Sequence, residues 1–194
     1  MVRKSKQIRN NRTVIFIIAF FILGLAVSFI FQKLIKSKSD QDNIPKNAKL
    51  SLQSDKEKIS AGEELTVTMT LDSNNSEVAA ADFVVRFNPQ YLKVVSVITG
   101  NFFNNYPINT TGSDHVRLSG VATFDGNTLI LPKGSAPVGY IKFQALSNKG
   151  QAVISIDESK TIVATSGQDI LDKKNINKLN ISVIWNEINH QNFT

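Results

Sequence analysis

The segment Glu63–Asp72, EELTVTMTLD, alternates strictly between apolar and polar side chains. Leu65, Val67, Met69 and Leu71 fall on one side, and Glu64, Thr66, Thr68 and Thr70 on the other. Successive side chains of a strand point to opposite faces, whereas a helix would scatter this pattern around its axis, so the run predicts a half-buried β-strand. The same period returns along the chain. Phe83, Val85 and Phe87 alternate with Asp82, Arg86 and Asn88, with Val84 out of phase. Val116 and Leu118 alternate with His115, Arg117 and Ser119 before Gly120, which suggests a bulge. Ile141, Phe143 and Ala145 follow the same rule, as do Ala152, Ile154 and Ile156, and finally Leu179, Ile181, Val183 and Trp185. Turn-forming residues separate these runs at Ala61-Gly62, Asp72–Ser76, Asn88-Pro89, Asp125-Gly126-Asn127, Pro132–Pro137, Asn148–Gly150 and Ser166–Gln168. The Asp125-Gly126 pair predicts a hairpin. No amphipathic helix follows residue 48. The expected fold over residues 48–185 is therefore all-β: an antiparallel jelly-roll β-sandwich of about nine strands, with Trp185 in the inward phase and 186–194 a flexible polar tail.

One segment breaks the period. Thr13–Phe31 runs for 19 residues without a charge, and as a helix it would span about 28 Å, close to the hydrocarbon thickness of a bilayer. It predicts a single N-terminal transmembrane helix. Five basic residues precede it and three follow within seven positions, which orients residues 1–12 as a cytoplasmic tail and the remainder outside. Residues 32–47 read as a polar linker. A cleaved secretory signal is the alternative, with Ala26 and Ser28 as small residues near a cleavage point. Either reading places the sandwich outside the cytoplasm, and the first makes the chain a single-pass membrane protein.

The formal net charge of +6 is concentrated at the ends of that apolar run. Eight of the 22 Lys and Arg lie within residues 1–39, so the other fourteen face all sixteen acids, a net of −2. A domain without positive excess does not bind nucleic acid by neutralising phosphates. The absence of Cys excludes thiol catalysis, disulfides, iron–sulfur clusters and thiolate zinc sites. His115 and His190 have no ligand spacing, and the neighbouring carboxylates Glu63-Glu64 and Asp157-Glu158 point to opposite faces of strands. The oxygen-rich stretch Asp72, Asn74, Asn75, Glu77 reads as a plain turn. No nucleophile elbow, phosphate loop or zinc-protease motif occurs. The chain reads as non-catalytic, with no metal and no cofactor.

Three segments carry a resemblance: KISAGEELTVTMTLD, then AAADFVVRFNPQYLKVVSV, then PVGYIKFQAL. Their order and content resemble the cohesin domain family over about Leu50 to Val183. The resemblance implies a nine-stranded jelly roll related to carbohydrate-binding modules. It also implies binding of a dockerin module carried by a polysaccharide-degrading enzyme, through one exposed sheet face. Asp82, before the aromatic residue of the ADF strand, matches a position the family uses for that contact. Ala80 stands where many members place Asn, and GVATFDGN retains only Asp125 of the acidic residues often found there.

The expected function is thus non-catalytic recognition by a membrane-tethered module, with a dockerin-like protein module or a polysaccharide as ligand. The alternative is a structural accessory subunit of a surface or secretion assembly. The candidate binding residues are Asp82, Val84 and Arg86 on one sheet face, with Tyr140 and Lys142 grouped beside them, and Asp125. Phe102, Phe103 and Tyr106 are added from GNFFNNYPINTTG, read as a long loop whose aromatics either bind ligand or cap the sandwich.

Overall fold

A computed structural model describes residues 44–185 of the 194-residue chain. The predicted membrane segment 13–31, the basic tail 1–12 and the tail 186–194, with His190, lie outside the described residues. Among the described residues, no helix is long and apolar enough to cross a membrane; the single helical element is a 3₁₀ turn at Lys173–Asn175.

The strands are β1 (Lys49–Ser54), β2 (Lys58–Ser60), β3 (Glu64–Asp72), β4 (Ala80–Phe87), β5 (Leu92–Thr99), β6 (Asn105–Thr111) and β7 (His115–Val121). They continue as β8 (Thr123–Asp125), β9 (Thr128–Ile130), β10 (Ser135–Ala145), β11 (Gly150–Ile156), β12 (Ile162–Thr165), β13 (Gln168–Asp169) and β14 (Lys178–Ile184). One sheet has the order β1-β3-β10-β5. The second runs β6-β7-β4, then β11 and β12 in line along the other edge of β4, then β14 and β2. The hairpin β8–β9 pairs only with itself. The alternation in the sequence therefore becomes a two-layer sandwich of antiparallel strands, with parallel pairing between β14 and β2 and at the isolated bridge of Ala48 to Leu171.

Inward side chains of both sheets form one core. Leu50, Leu65, Met69, Leu71, Ile141 and Phe143 face Phe83, Leu118 and Ile154, all fully buried. Phe87 and Phe143 meet edge-to-face across the layers at 5.3 Å. Gly120 does not form a bulge: Ala81 pairs with it in regular register. Its role is steric, because a Cβ there would stand 2.2 Å from the Phe103 ring. The register shift lies across from it, in β6 between Asn105 and Ile108. The Asp125-Gly126 hairpin forms as expected, with Gly126 at φ 57°. The Pro132–Pro137 turn ends earlier than the sequence suggested, since β10 starts at Ser135 and absorbs Pro137 at a register shift. Trp185 lies beyond the end of β14 and is 60% exposed, so its alternating phase does not carry it into the core.

The registers define two poles. Lys49, Asp72 and Ser135 lie together at one, with Ala80, Val121 and Ala164 on the facing sheet. The chain enters at this pole, where Ala48 bridges Leu171. The opposite pole carries the ends of β4 and β14, next to Trp185. The outer edge of β1 is covered by the Asn177 amide, which accepts from Leu52 N–H at 2.8 Å and donates to Leu52 C=O at 2.7 Å. An amide there substitutes for a neighbouring strand and closes an edge that would otherwise pair with another chain.

Between β11 and β12 the chain leaves β4 for a turn at residues 157–161. Thr161, fully buried, repairs the ladder: its hydroxyl oxygen accepts from Val84 N–H at 3.1 Å. Thr161→Val keeps the shape but strands that buried N–H, and a loss of about 1–3 kcal/mol is expected in chemical denaturation, while Thr161→Ser retains most of the stability. A neutral Thr161→Val would show that the hydroxyl does not hold this strand.

Candidate functional site

β4 is paired on both edges, so its outward side chains lie in the middle of a sheet face. Cross-strand pairing sets that face in rows. The first is Asn105, Val121, Ala80 and Ala164, nearest the pole at which the chain enters; the second is Ile108, Ser119, Asp82 and Ile162. The third is Thr110, Arg117 and Val84, and the fourth His115, Arg86 and Ser155.

The charges on this face are tied together. The Asp82 carboxylate accepts from Arg117 at 2.6–3.1 Å through Nε and Nη2 and from the Ser119 hydroxyl at 2.9 Å. Arg86 spans two acids: Nη1 donates to Asp114 at 2.6 Å, and Nε and Nη2 donate to Asp157 at 3.1 Å. His115 Nδ1 lies 2.8 Å from the other Asp114 oxygen. Fork geometry of this kind fixes the guanidinium planes against the sheet. The Asp157 carboxyl is held below the usual carboxylate range by the Ser159 hydroxyl and by Arg86. Asp114 is lowered by the His115 hydrogen bond and by Arg86. Correspondingly, hydrogen bonding to Asp157 raises Arg86, and hydrogen bonding to Asp82 raises Arg117. A shallow cavity of about 390 Å³ opens among Asp82, Val84, His115, Arg117 and Lys160.

Several expected site residues stand elsewhere. Val84 does point outward, which explains its break in the sequence pattern, yet it is only 3% exposed and contributes to the wall of that cavity. Tyr140 and Lys142 do not join Asp82, Val84 and Arg86: they lie on β10, in the other sheet, facing away on the opposite side of the sandwich. Lys142 pairs there with Glu64 at 3.2 Å. Phe102 and Phe103 are buried, at 5% and 2% exposure, and are core rather than exposed binding aromatics. Their supposed long loop is short, because residues 105–111 form β6. Tyr106 is half-buried, edge-on to Phe103 at 5.8 Å; its hydroxyl oxygen accepts from Phe103 N–H at 3.4 Å, and burial raises its pKa. Of the two readings for this segment, capping the sandwich is the one its packing matches. Asp125 sits at the tip of the β8–β9 hairpin, apart from Asp82.

No local pattern groups Asp114, His115, Arg117, Ser119, Asp157 and Lys160 with Asp82. HVRLSGV does show Arg117 and Ser119 on one strand face, but only the pairing of β7 with β4 places that face beside Asp82. Asp157 and Lys160 come from a turn 71 or more positions away. Exposed Ile162 adds an apolar element next to Asp82.

Comparison with solved structures shows the same fold. The third ScaC cohesin of Acetivibrio cellulolyticus, solved in complex with the ScaB dockerin, is 20% identical, with a TM-score of 0.57 over 71% of this chain and 99% of that one. A cohesin of Clostridium acetobutylicum solved in solution is 18% identical, with a TM-score of 0.54 over 71% of this chain and 90% of that one. A non-cellulosomal cohesin of the archaeon Archaeoglobus fulgidus is 12% identical, with a TM-score of 0.51 over 72% and 94% respectively. No curated protein sequence matches the chain. The family model of the cohesin domain matches residues 48–183, most of the chain and nearly all of the described sandwich, so this protein belongs to the cohesin family, whose domains are non-catalytic protein-interaction modules.

Proposed function

We propose that the outer face of β6, β7, β4 and β12 binds a dockerin-type protein module, and that the apolar segment 13–31 tethers the sandwich to the extracytoplasmic side of a membrane. The observation that carries this reading is the Asp82–Arg117–Ser119 cluster. It sits at the centre of a continuous sheet face, beside exposed Ile162 and below the Arg86 network. A rigid face with fixed charges and an exposed aliphatic side chain suits a protein surface, where a few central residues carry most of the binding energy. A polysaccharide ligand has weaker support. Stacking on sugar rings needs a planar strip of exposed aromatics, and the most exposed aromatics among the described residues, Phe124 and Trp185, lie at opposite poles.

Binding of the full chain, in detergent or nanodiscs, to a dockerin panel and a polysaccharide panel tests the reading by calorimetry. Asp82→Ala should weaken dockerin binding by roughly tenfold or more, as expected for a central contact, while Tyr140→Ala on the opposite sheet leaves it unchanged. Glycan binding that Asp82→Ala spares would overturn the assignment of ligand and face together.

The lowered carboxyls set a pH dependence. A group whose folded pKa lies below its unfolded value stabilises the fold above the unfolded pKa, near ~3.9 for Asp, and loses that contribution as pH falls through the folded value. Asp114 and Asp157 are both of this kind. Thermal stability should therefore hold at neutral pH and drop below about pH 4, and Asp157→Asn should flatten that drop. An unchanged acid profile in Asp157→Asn would remove Asp157 as its source.

A further inference from the structure

The cavity on the Asp82 face keeps one charge unmatched. Its floor is Val84, almost fully buried. The register places Arg117 on one side of Val84. The 157–161 turn lies on the other, since the Thr161 hydroxyl accepts from Val84 N–H and Asp157 N–H donates to Val84 C=O. That turn brings Lys160 into the lining. Asp82 and His115, one row before Val84 and one row after it, close the two ends. Two cations therefore stand on either side of an aliphatic floor.

Most of the other charge on this face is already engaged. Asp82 is held by Arg117 and Ser119, and its side chain is 27% exposed against 45% for Arg117. An approaching surface thus meets the guanidinium ahead of the carboxylate. Arg117 directs Nε and Nη2 to Asp82, which leaves Nη1 as a donor without a partner among the described residues. Arg86 is filled by Asp114 and Asp157, and His115 turns Nδ1 to Asp114. Lys160 differs. Asp157, an acid of its own turn, gives one oxygen to Arg86 and the other to Ser159, and Lys160 makes no ion pair among the described residues. Exposed Glu158, in the same turn, does not line the cavity. With His counted neutral, the lining carries Arg117 and Lys160 against Asp82, an excess of one positive charge.

We propose that this cavity receives one carboxylate of the bound protein module, an Asp or Glu side chain that pairs with Lys160 and accepts from Arg117. The inference rests on the reading of this face given above and adds the chemistry of the partner's contact. A single carboxylate cancels the excess charge, whereas a phosphate group, with a charge nearer two, would leave a negative excess beside Asp82. Docking excludes water from the cavity, and a charge pair there is stronger than in open solvent. Asp82 contributes by holding the Arg117 fork in place. A partner with Lys or Arg at this point meets two like charges and is rejected.

Backbone bonds shape the turn, with Lys160 N–H and Thr161 N–H donating to Asp157 C=O at 3.1 and 2.9 Å, so the Lys160 side chain can be replaced without unmaking it. Calorimetry with the full chain in nanodiscs and a dockerin that it binds is the test. Lys160→Met, which keeps most of the stem and removes the charge, should weaken binding about fivefold, and Lys160→Glu roughly thirtyfold or more. Lys142→Met removes the same charge from the opposite sheet and should change nothing. Replacing the exposed Asp and Glu residues of the dockerin by Lys, one at a time, should yield one variant that restores tight binding to Lys160→Glu. Normal binding by both Lys160 variants, with Asp82→Ala still weakened, overturns the carboxylate and leaves the reading of the face standing. Tighter binding by Lys160→Glu overturns it too, and assigns a cation to the partner. So does a loss that no single reversal restores. If no dockerin binds, or if the Asp82 and Lys160 variants alike bind normally, the reading of the face fails and takes the inference with it.

Discussion

Pairing of β4 on both edges is the constraint from which the rest of the sandwich follows. A strand bonded on each side cannot slip without moving every neighbour, and a slip of one residue would exchange its core and outer faces. Phe83, Val85 and Phe87 are therefore fixed inward against the opposite sheet, while Asp82 and Arg86 are fixed outward. The turn at 157–161 interrupts one of these edges without leaving the strand unpaired, because the Thr161 hydroxyl and Asp157 N–H take over the ladder positions of Val84. The same turn delivers Asp157 to Arg86. Backbone repair and surface electrostatics are thus two results of one local excursion.

The outer face of this sheet is polar but not loosely so. Arg117 is held by Asp82 on the neighbouring strand and Arg86 by Asp114 and Asp157 from the segments flanking β7 and β11, and these carboxylates are in turn held by a hydroxyl or an imidazole. The more exposed pairs, Arg86–Asp114 and Arg117–Asp82, add little to stability, whereas Asp157 is largely buried. Their effect is to fix where charge is presented, and charge position governs which partner a surface accepts more than how tightly it binds. The opposite sheet lacks such an arrangement: its outer face carries the threonines of β3, with Lys142 paired to Glu64. This asymmetry separates the two sides of a sandwich whose inner faces are alike. The chain enters the sandwich at one pole and leaves β14 at the other.

Much of the fold was legible in the sequence, because burial on one face of a strand is written directly as a period of two. β3, β4, β7, β10, β11 and β14 can all be read from alternating residues. The candidate site was half legible. Asp82 and Arg86 share a strand and a phase, so their common face follows from the local pattern. Tyr140 and Lys142 have the same outward phase on β10, but phase does not say which sheet a strand joins. Phe102 and Phe103 are buried for a related reason that no local pattern shows: an aromatic between strands gives no sign of whether a glycine elsewhere, as Gly120 does for Phe103, leaves room for its ring. Trp185 shows the converse, an inward phase that continues past the last paired residue and so buries nothing.

By itself the sequence determined that this chain makes short half-buried strands, that nothing in it supports thiol chemistry or binding to phosphate backbones, and that an uncharged apolar run stands apart from the rest. These are properties of composition and of neighbours a few positions apart. The tertiary structure alone decided which strands lie side by side, and therefore that Arg117, Asp114 and Asp157 surround Asp82 and Arg86 while Tyr140 does not. It also decided that the β8–β9 hairpin projects unsupported from the pole where the chain enters. The physical reason is that side-chain alternation is set within a strand, but strand order is set by how distant segments share one core, and no local pattern records that choice.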